Sequence, residues 1–199
     1  MWEFQQKLVP AGESIAASLG SEPSGFMKML AWMIRSTFLD PRIARQAALD
    51  KSGNMAAIGA FAVSMAPAWL YMLLAGNLYL YSAFYHAMII STVVVSIAGM
   101  VATIFVLALL SKSLLGVKLS AGQLMRALAY AQGAAVLGFI PILGTIIRLW
   151  TIPTSVAAVR EISGADTVKA VIFILVGGAV AVVAMLVFSP ILMRMLVRF

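Results

Sequence analysis

Residues 87–110 read AMIISTVVVSIAGMVATIFVLALL. Not one of these 24 side chains is charged. Wound as a helix the run would be about 36 Å long, and about 20 apolar residues suffice to cross a bilayer. It lacks the period-two alternation of a strand, and an open sheet in lipid would leave its edge N–H and C=O groups unpaired. The stretch predicts a membrane-crossing α-helix.

Four further apolar runs lie around it. Residues 55–75 predict a first span, kinked by Pro67 inside it. Residues 124–159 are apolar for longer than one crossing needs, and Pro141-Ile142-Leu143-Gly144 is a hairpin signal within them. This gives a third span over 124–140 and a fourth over 144–159, both short. Residues 170–188 predict the fifth span, with Ser189-Pro190 ending or bending it. Between the first two spans, Tyr79, Tyr81, Phe84 and Tyr85 mark a membrane–water interface. Polar links at 111–123 and 160–169 separate the later spans.

Ahead of the spans, residues 1–23 read as a loosely ordered arm punctuated by Pro10, Gly12, Gly20 and Pro23. Its mixed polar start does not resemble a signal peptide. Ser24 can cap a helix carrying Phe26, Met27, Trp32, Met33 and Phe38, with Lys28 and Arg35 between them. That segment is too short and too charged to cross. It is expected to lie in the interface, or to pack beneath the bundle. Asp40-Pro41 breaks it, and residues 42–51 form a short basic connector. The fold class is therefore all-α: a polytopic transmembrane bundle of about five spans with an N-terminal interfacial amphipathic helix. Its parts are an arm and interfacial helix over 1–54, a transmembrane domain over 55–188 and a basic tail over 189–199.

The composition agrees. The chain is 63% hydrophobic and 11% charged, against about 25% charged in soluble domains. Its net charge is +7, which in such a chain speaks of topology rather than of nucleic acid. With the N-terminus inside, Lys7, Lys28, Arg35, Arg42, Arg45, Lys51, Lys112, Lys118, Arg126, Arg160 and Lys169 fall on the inner side. Arg148, Arg194 and Arg198 stay outside. The N-terminus is thus expected in the cytoplasm.

Catalytic chemistry finds little to work with. There is no cysteine, one histidine (His86), and no Asp or Glu between Lys51 and Arg160. Proton-coupled carriers usually place carboxylates in the membrane, and hydrolytic metal sites need His and carboxylate ligands. Neither a nucleophile motif nor a phosphate-binding glycine loop is present. No enzyme, metal or cofactor is expected. His86, among aromatics, reads as structural.

Arg148 is the first candidate contact. It lies in an apolar run, where an arginine costs about 3 kcal/mol at a helix centre. It either meets an anion, such as a lipid phosphate or a partner's carboxylate, or snorkels to the headgroups. Gln132, Thr145, Thr151, Thr154 and Ser155 can form a polar seam with it. Lys28, Arg35 and Trp32 are the candidate lipid or partner contacts of the N-terminal segment. Gly177 with Ala181, Gly178 with Val182, and Ala98 with Ala102 carry the four-residue spacing that lets helices approach closely.

Several of these features resemble the Yip1 family. The residues that carry the likeness are Leu115-Gly116, Ala129-Tyr130-Ala131, Pro141 and Gly144, Trp150, and Lys169-Ala170, and it covers about residues 38–187. The family often places a proline shortly after its Ala-Tyr-Ala segment; here Gln132-Gly133-Ala134-Ala135 follows. The resemblance implies a non-enzymatic polytopic protein. The short arm looks more like the bacterial members, in an inner membrane, and Rab binding is not carried over. The expected role is a scaffold or accessory subunit that packs against lipid or a larger membrane complex. Its partners would be membrane lipids and other membrane subunits, not nucleic acid, with room for homo-oligomers. The alternative is a small-solute or anion transporter or channel lined by Arg148, Gln132 and the threonines.

Overall fold

In the computed structural model, which describes residue 10 and residues 25–50, 53–79, 83–139 and 143–197, the regular structure is helical throughout. Seven α-helices and one 3-10 segment follow one another, and no strand occurs among the described residues. The bulk of the arm, the Ser24 cap, the loop centre at 80–82, the hairpin break at 140–142 and residues 198–199 lie outside the described residues.

Helix α1, Gly25–Thr37, buries Met29, Ala31, Met33 and Ser36 on one face and leaves Phe26, Met27 and Lys28 exposed. It therefore packs on the bundle while presenting apolar side chains outward. Leu39, at φ 61°, takes a left-handed conformation that turns the chain. Asp40 then caps α2, Pro41–Leu49, by accepting from the Arg42 N–H. Pro41 sits at the first helical position, where its missing N–H is no loss. The break at Asp40-Pro41 is as expected, but residues 42–51 are not merely a connector. Ile43, Ala44, Ala47 and Ala48 recur at helical spacing and are buried on one face of α2.

Helix α3, Asn54–Tyr79, continues through Pro67 and past Gly76-Asn77. Helix α4, Ala83–Leu115, extends the quoted apolar run at both ends. The expected third span is broken in two. Helix α5, Ala121–Ala131, stops at Gln132, and a 3-10 segment, Gly133–Phe139, follows. Helix α6, Leu143–Ser163, contains Pro153. Helix α7, Thr167–Val197, runs on through Ser189-Pro190, so the described part of the tail at 189–197 is helix continuous with the fifth span.

Among the described residues two helices, not five, are long and apolar enough to cross a membrane. They are Ile89–Leu115 within α4 and Thr167–Leu192 within α7. The apolar stretch of α3 is shorter, Asn54–Pro67. Helix α6 carries Arg148, Arg160 and Glu161 in its length. Most of each of these two stretches faces outward, and only a minor part is buried inside the protein.

Helices α4 and α7 pack along one another, with Gly177 of α7 directly against Leu107 of α4. Leu107, Leu115, Leu124, Val159 and Phe173 form one core where α4 and α6 end and α7 begins. Met29, Met33, Ile43, Ala57, Ala60 and Tyr130 form a second, where α1 and α2 meet the start of α3 and the end of α5. Four alanines, Ala44, Ala127, Ala131 and Ala158, bring α2, α5 and α6 into close contact between these cores. Small side chains allow that approach.

Candidate functional site

Helix α5 is the centre of the molecule, and its start is fixed locally. Gly116, at φ 80°, turns the chain after α4, and Ser111 Oγ accepts from the Leu119 N–H at 3.0 Å. Ser120 and Gln123 then form a reciprocal capping box: Ser120 Oγ accepts from Gln123 N at 3.2 Å and Gln123 Oε1 from Ser120 N at 2.9 Å.

Two turns on, Arg126 is 6% exposed. Its Nε donates to the Ala47 carbonyl at 2.9 Å and its Nη2 to the Ala48 carbonyl at 2.7 Å. Its Nη1 donates to Asn54 Oδ1 at 2.6 Å. Ala47 and Ala48 belong to the last turn of α2, whose carbonyls have no partner within the helix. A fixed positive charge also complements the negative end of the helix dipole. Asn54 opens α3. One guanidinium thus ties α2, α3 and α5 together. By sequence Arg126 counted only as one more inner-side charge. Its isolation among apolar residues at 124–131 was the available signal.

Asp40 organises the other basic residues of this end. Its side chain is fully buried. Oδ2 accepts from Arg35 Nε at 2.9 Å and Nη2 at 2.5 Å, while Oδ1 accepts from Arg42 N at 3.1 Å and Nε at 3.2 Å. Arg35, expected at headgroups, is therefore engaged within the fold. Lys28 is exposed and its Nζ lies 4.7 Å from the centre of the Trp32 ring, a cation–π contact. Trp32 in turn meets Tyr130 edge-on, centroids 5.2 Å apart. Lys28 and Trp32 are thus one unit, joined to the core through Tyr130.

The end of α5 is held from both sides. Thr154 Oγ1 donates to the Ala131 carbonyl at 2.7 Å, supplying a partner at the helix end. Trp150 Nε1 donates to the Thr37 carbonyl at 2.9 Å, linking α6 to the last residue of α1. Gly133 lies against the Met33 carbonyl so closely that a Cβ would overlap its oxygen. The break in α5 needs no proline: α1 occupies the space that a side chain at 133 would enter.

Beside this junction, α3 to α7 line a cavity of about 320 Å³ that opens to the outer surface. Phe61, Met100, Leu107, Met125 and Ile174 give it apolar walls. Ser96, Thr103, Gln132, Thr151 and Ser155 add hydroxyl and amide groups, and no lining side chain is charged. Of the expected polar seam, Gln132, Thr151 and Ser155 meet here. Thr154 points instead to Ala131. Arg148 stands in the second turn of α6, and its side chain, like those of Thr145 and His86, lies outside what the structure describes. Ser96 and Thr103 were not singled out by sequence.

The small residues divide. Gly177, Gly178 and Ala181 all line the cavity. Gly177 also makes the close contact expected of it, since a Cβ there would come 2.8 Å from Leu107 Cδ1. Gly178 has nothing within 4 Å of such a Cβ. On α4, Ala98 is exposed and Ala102 half-buried. Among the described residues no cluster of His, Asp or Glu could hold a metal ion.

No family model, no curated protein and no solved structure matches this chain. The likeness to the Yip1 family rests on the quoted residues. Those that the structure describes are elements of the fold: Leu115, Tyr130, Ala131 and Ala170 are buried, Gly116 makes a turn, and Trp150 bonds to α1. Ala129 is buried too and also reaches the cavity wall.

Proposed function

We propose that this chain is an integral membrane protein of Yip1 type, a scaffold or accessory subunit without chemistry of its own. The single observation that carries this is the outward apolar surface of α4 and α7. Ile90, Val94, Ile97, Val101, Phe105 and Leu109 form an exposed stripe at three- and four-residue spacing along α4. Val168, Ile172, Leu175, Val182 and Leu186 lie on one exposed side of α7, with the small exposed Gly178 and Ala179 between Leu175 and Val182. The core helix of a soluble protein would bury such a surface, and contiguous exposed patches of this size mark a lipid or protein partner.

About five crossings fit this arrangement. Helix α6, 21 residues, rises about 31 Å, and α5 with its 3-10 segment rises about 30 Å if the two are laid end to end. The third crossing would then be a broken one. Lys112, Lys118, Arg126, Arg160 and Lys169 gather at the end where α4 and α6 finish and α7 starts. By the positive-inside rule that end, with the N-terminus, faces the cytoplasm, on this reading of a bacterial inner membrane. The accessory role is supported by how the charged groups are used: Arg126, Arg35 and Asp40 hold helices together rather than opening a path.

The transporter alternative keeps one observation in its favour, the cavity with Gln132, Thr151 and Ser155 in its wall. Isolation in a mild detergent followed by mass spectrometry separates the two. A stoichiometric membrane complex supports the accessory role. A lone chain that carries a solute across proteoliposomes, with flux lost in Arg148→Ala, would sink it.

A further inference from the structure

We infer that the cavity lined by α3 to α7 is a binding site for an uncharged lipid, its hydrocarbon chain against the apolar walls and a carbonyl oxygen held by Thr103, with Gln132 as a second donor in the wall. The inference rests on the membrane reading above.

The cavity's size is the first ground. At about 320 Å³ it falls at the lower end of small-molecule sites, which run from about 300 to 1,000 Å³. A dry apolar cavity of about 150 Å³ already takes up benzene-sized ligands. Its charge is the second. Lys and Arg collect at the end of the bundle, yet none lines the cavity, so neither a phosphate headgroup nor a free anion finds a counter-charge there.

The mouth is the third ground. Ile152, Gly178 and Met185 line the cavity and are also exposed on the outer surface. They lie on α6 and α7, and Gly178 and Met185 stand on the helix that carries the outward stripe. An occupant would enter sideways, from hydrocarbon rather than from water. Gly178 leaves that entrance open, because no atom stands within 4 Å of where its Cβ would be.

The hydroxyl groups are the fourth ground. Helical hydroxyls in this chain commonly donate to their own backbone: Ser96 Oγ donates to the Thr92 carbonyl and Ser111 Oγ to the Ala108 carbonyl. Thr103, two helical turns along the wall from Ser96, does not. Its Oγ1 is buried with no hydrogen-bond partner among the described residues. Ser91 Oγ shares that state but does not line the cavity. A buried hydroxyl without a partner is costly, and a carbonyl oxygen in the cavity would accept from it. The Gln132 amide, in the same cavity wall, offers a second donor to such a ligand.

An ester of a glyceride and a ring carbonyl of a prenylquinone share this chemistry. The full chain is reconstituted in phosphatidylcholine vesicles with a diacylglycerol bearing a diazirine in one acyl chain, irradiated, and its adducts mapped by mass spectrometry. Adducts are expected on the inward-facing Met100 and Met125 as well as on the outward Val101 and Phe105. Gly178→Phe, which fills the mouth, should abolish the inward adducts and keep the outward ones. Gln132→Leu should weaken the inward adducts without closing the mouth. Unlabelled diacylglycerol displacing the inward label identifies an ester ligand, and a prenylquinone displacing it identifies a quinone. Displacement by neither, or equal displacement by phosphatidic acid, overturns the inference. Outward adducts alone in the wild-type chain overturn the site and leave the membrane reading standing, whereas no adducts on either face overturn both.

Discussion

Arg126 Nε and the Ala47 carbonyl, 79 residues apart in sequence, are joined by a 2.9 Å hydrogen bond in the interior. The same guanidinium reaches Ala48 and Asn54, so removing it strands three acceptors at once. Arg126→Met keeps the aliphatic bulk and should cost about 3 kcal/mol, since each unsatisfied buried acceptor costs about 1–3. Arg126→Lys should not restore the loss, because a single ammonium lacks the planar fork that meets three separated oxygens. Thermal unfolding in mild detergent, followed by tryptophan fluorescence, reads both. A lysine variant as stable as the wild type would mean that the position needs only charge.

Gly133 and Gly178 make a matched pair. A Cβ at 133 overlaps the Met33 carbonyl oxygen, which is backbone and cannot step aside. Gly133→Ala should therefore destabilise by about 1–3 kcal/mol, as overpacking does. Gly178 is in a helix with open space beside it. Gly178→Ala should be neutral or stabilising by up to about 1 kcal/mol, the ordinary difference in helix propensity. Equal unfolding temperatures for the two variants would contradict the close approach of α1 to the break.

The break also marks where the sequence stops being informative. The runs that became α4 and α7 were legible because nothing but lipid-compatible side chains fills them, and their ends moved outward by three to nine residues. The interruption after Ala131 was not, since no proline marks it and the close approach of the Met33 carbonyl to Gly133 comes from a segment about a hundred positions away. Helix α2 was overlooked because Arg42, Arg45 and Lys51 draw attention from Ile43, Ala44, Ala47 and Ala48, whose spacing is helical. Arg126 reads like any inner-side arginine until its acceptors are known. Ser189-Pro190 suggested an end or a bend of the last span, and the helix continues through it to Val197. Of the candidate site, Gln132, Thr151 and Ser155 were expected as parts of one polar seam and Gly178 as a helix-packing residue; that all four share one cavity depends on how five segments pack.

Asp40 combines two roles that substitution can separate. It caps α2 through Arg42 N, and its fully buried carboxylate pairs with Arg35 and with the more exposed Arg42. Asp40→Asn keeps an acceptor for the N–H and loses the charge. Asp40→Ala loses both, and should be the more damaging by about 1 kcal/mol, the usual worth of an N-cap. Far-ultraviolet circular dichroism with thermal melts measures the difference. If the two variants melt together, the cap contributes nothing and the ion pairs alone hold the α1–α2 turn.

Helix α7 makes the topology testable. Its 31 residues rise about 46 Å, more than the roughly 30 Å of a bilayer's hydrocarbon. Lys169 lies near one end and Arg194 near the other, and both are exposed. The chain has no cysteine, so a single one can be placed anywhere without background. In sealed inside-out and right-side-out vesicles, a membrane-impermeant maleimide should label Lys118→Cys and Lys169→Cys from the same face. It should label Arg194→Cys only from the opposite face. The first two positions sit at the basic end of the bundle, where α4 has ended and α7 begins, so they share a side whatever the total number of crossings. Arg194 decides the fifth crossing by itself. If Arg194→Cys reacts from the same face as Lys169→Cys, α7 does not cross, and the exposed stripe from Val168 to Leu186 must be covered by a partner protein instead of by lipid.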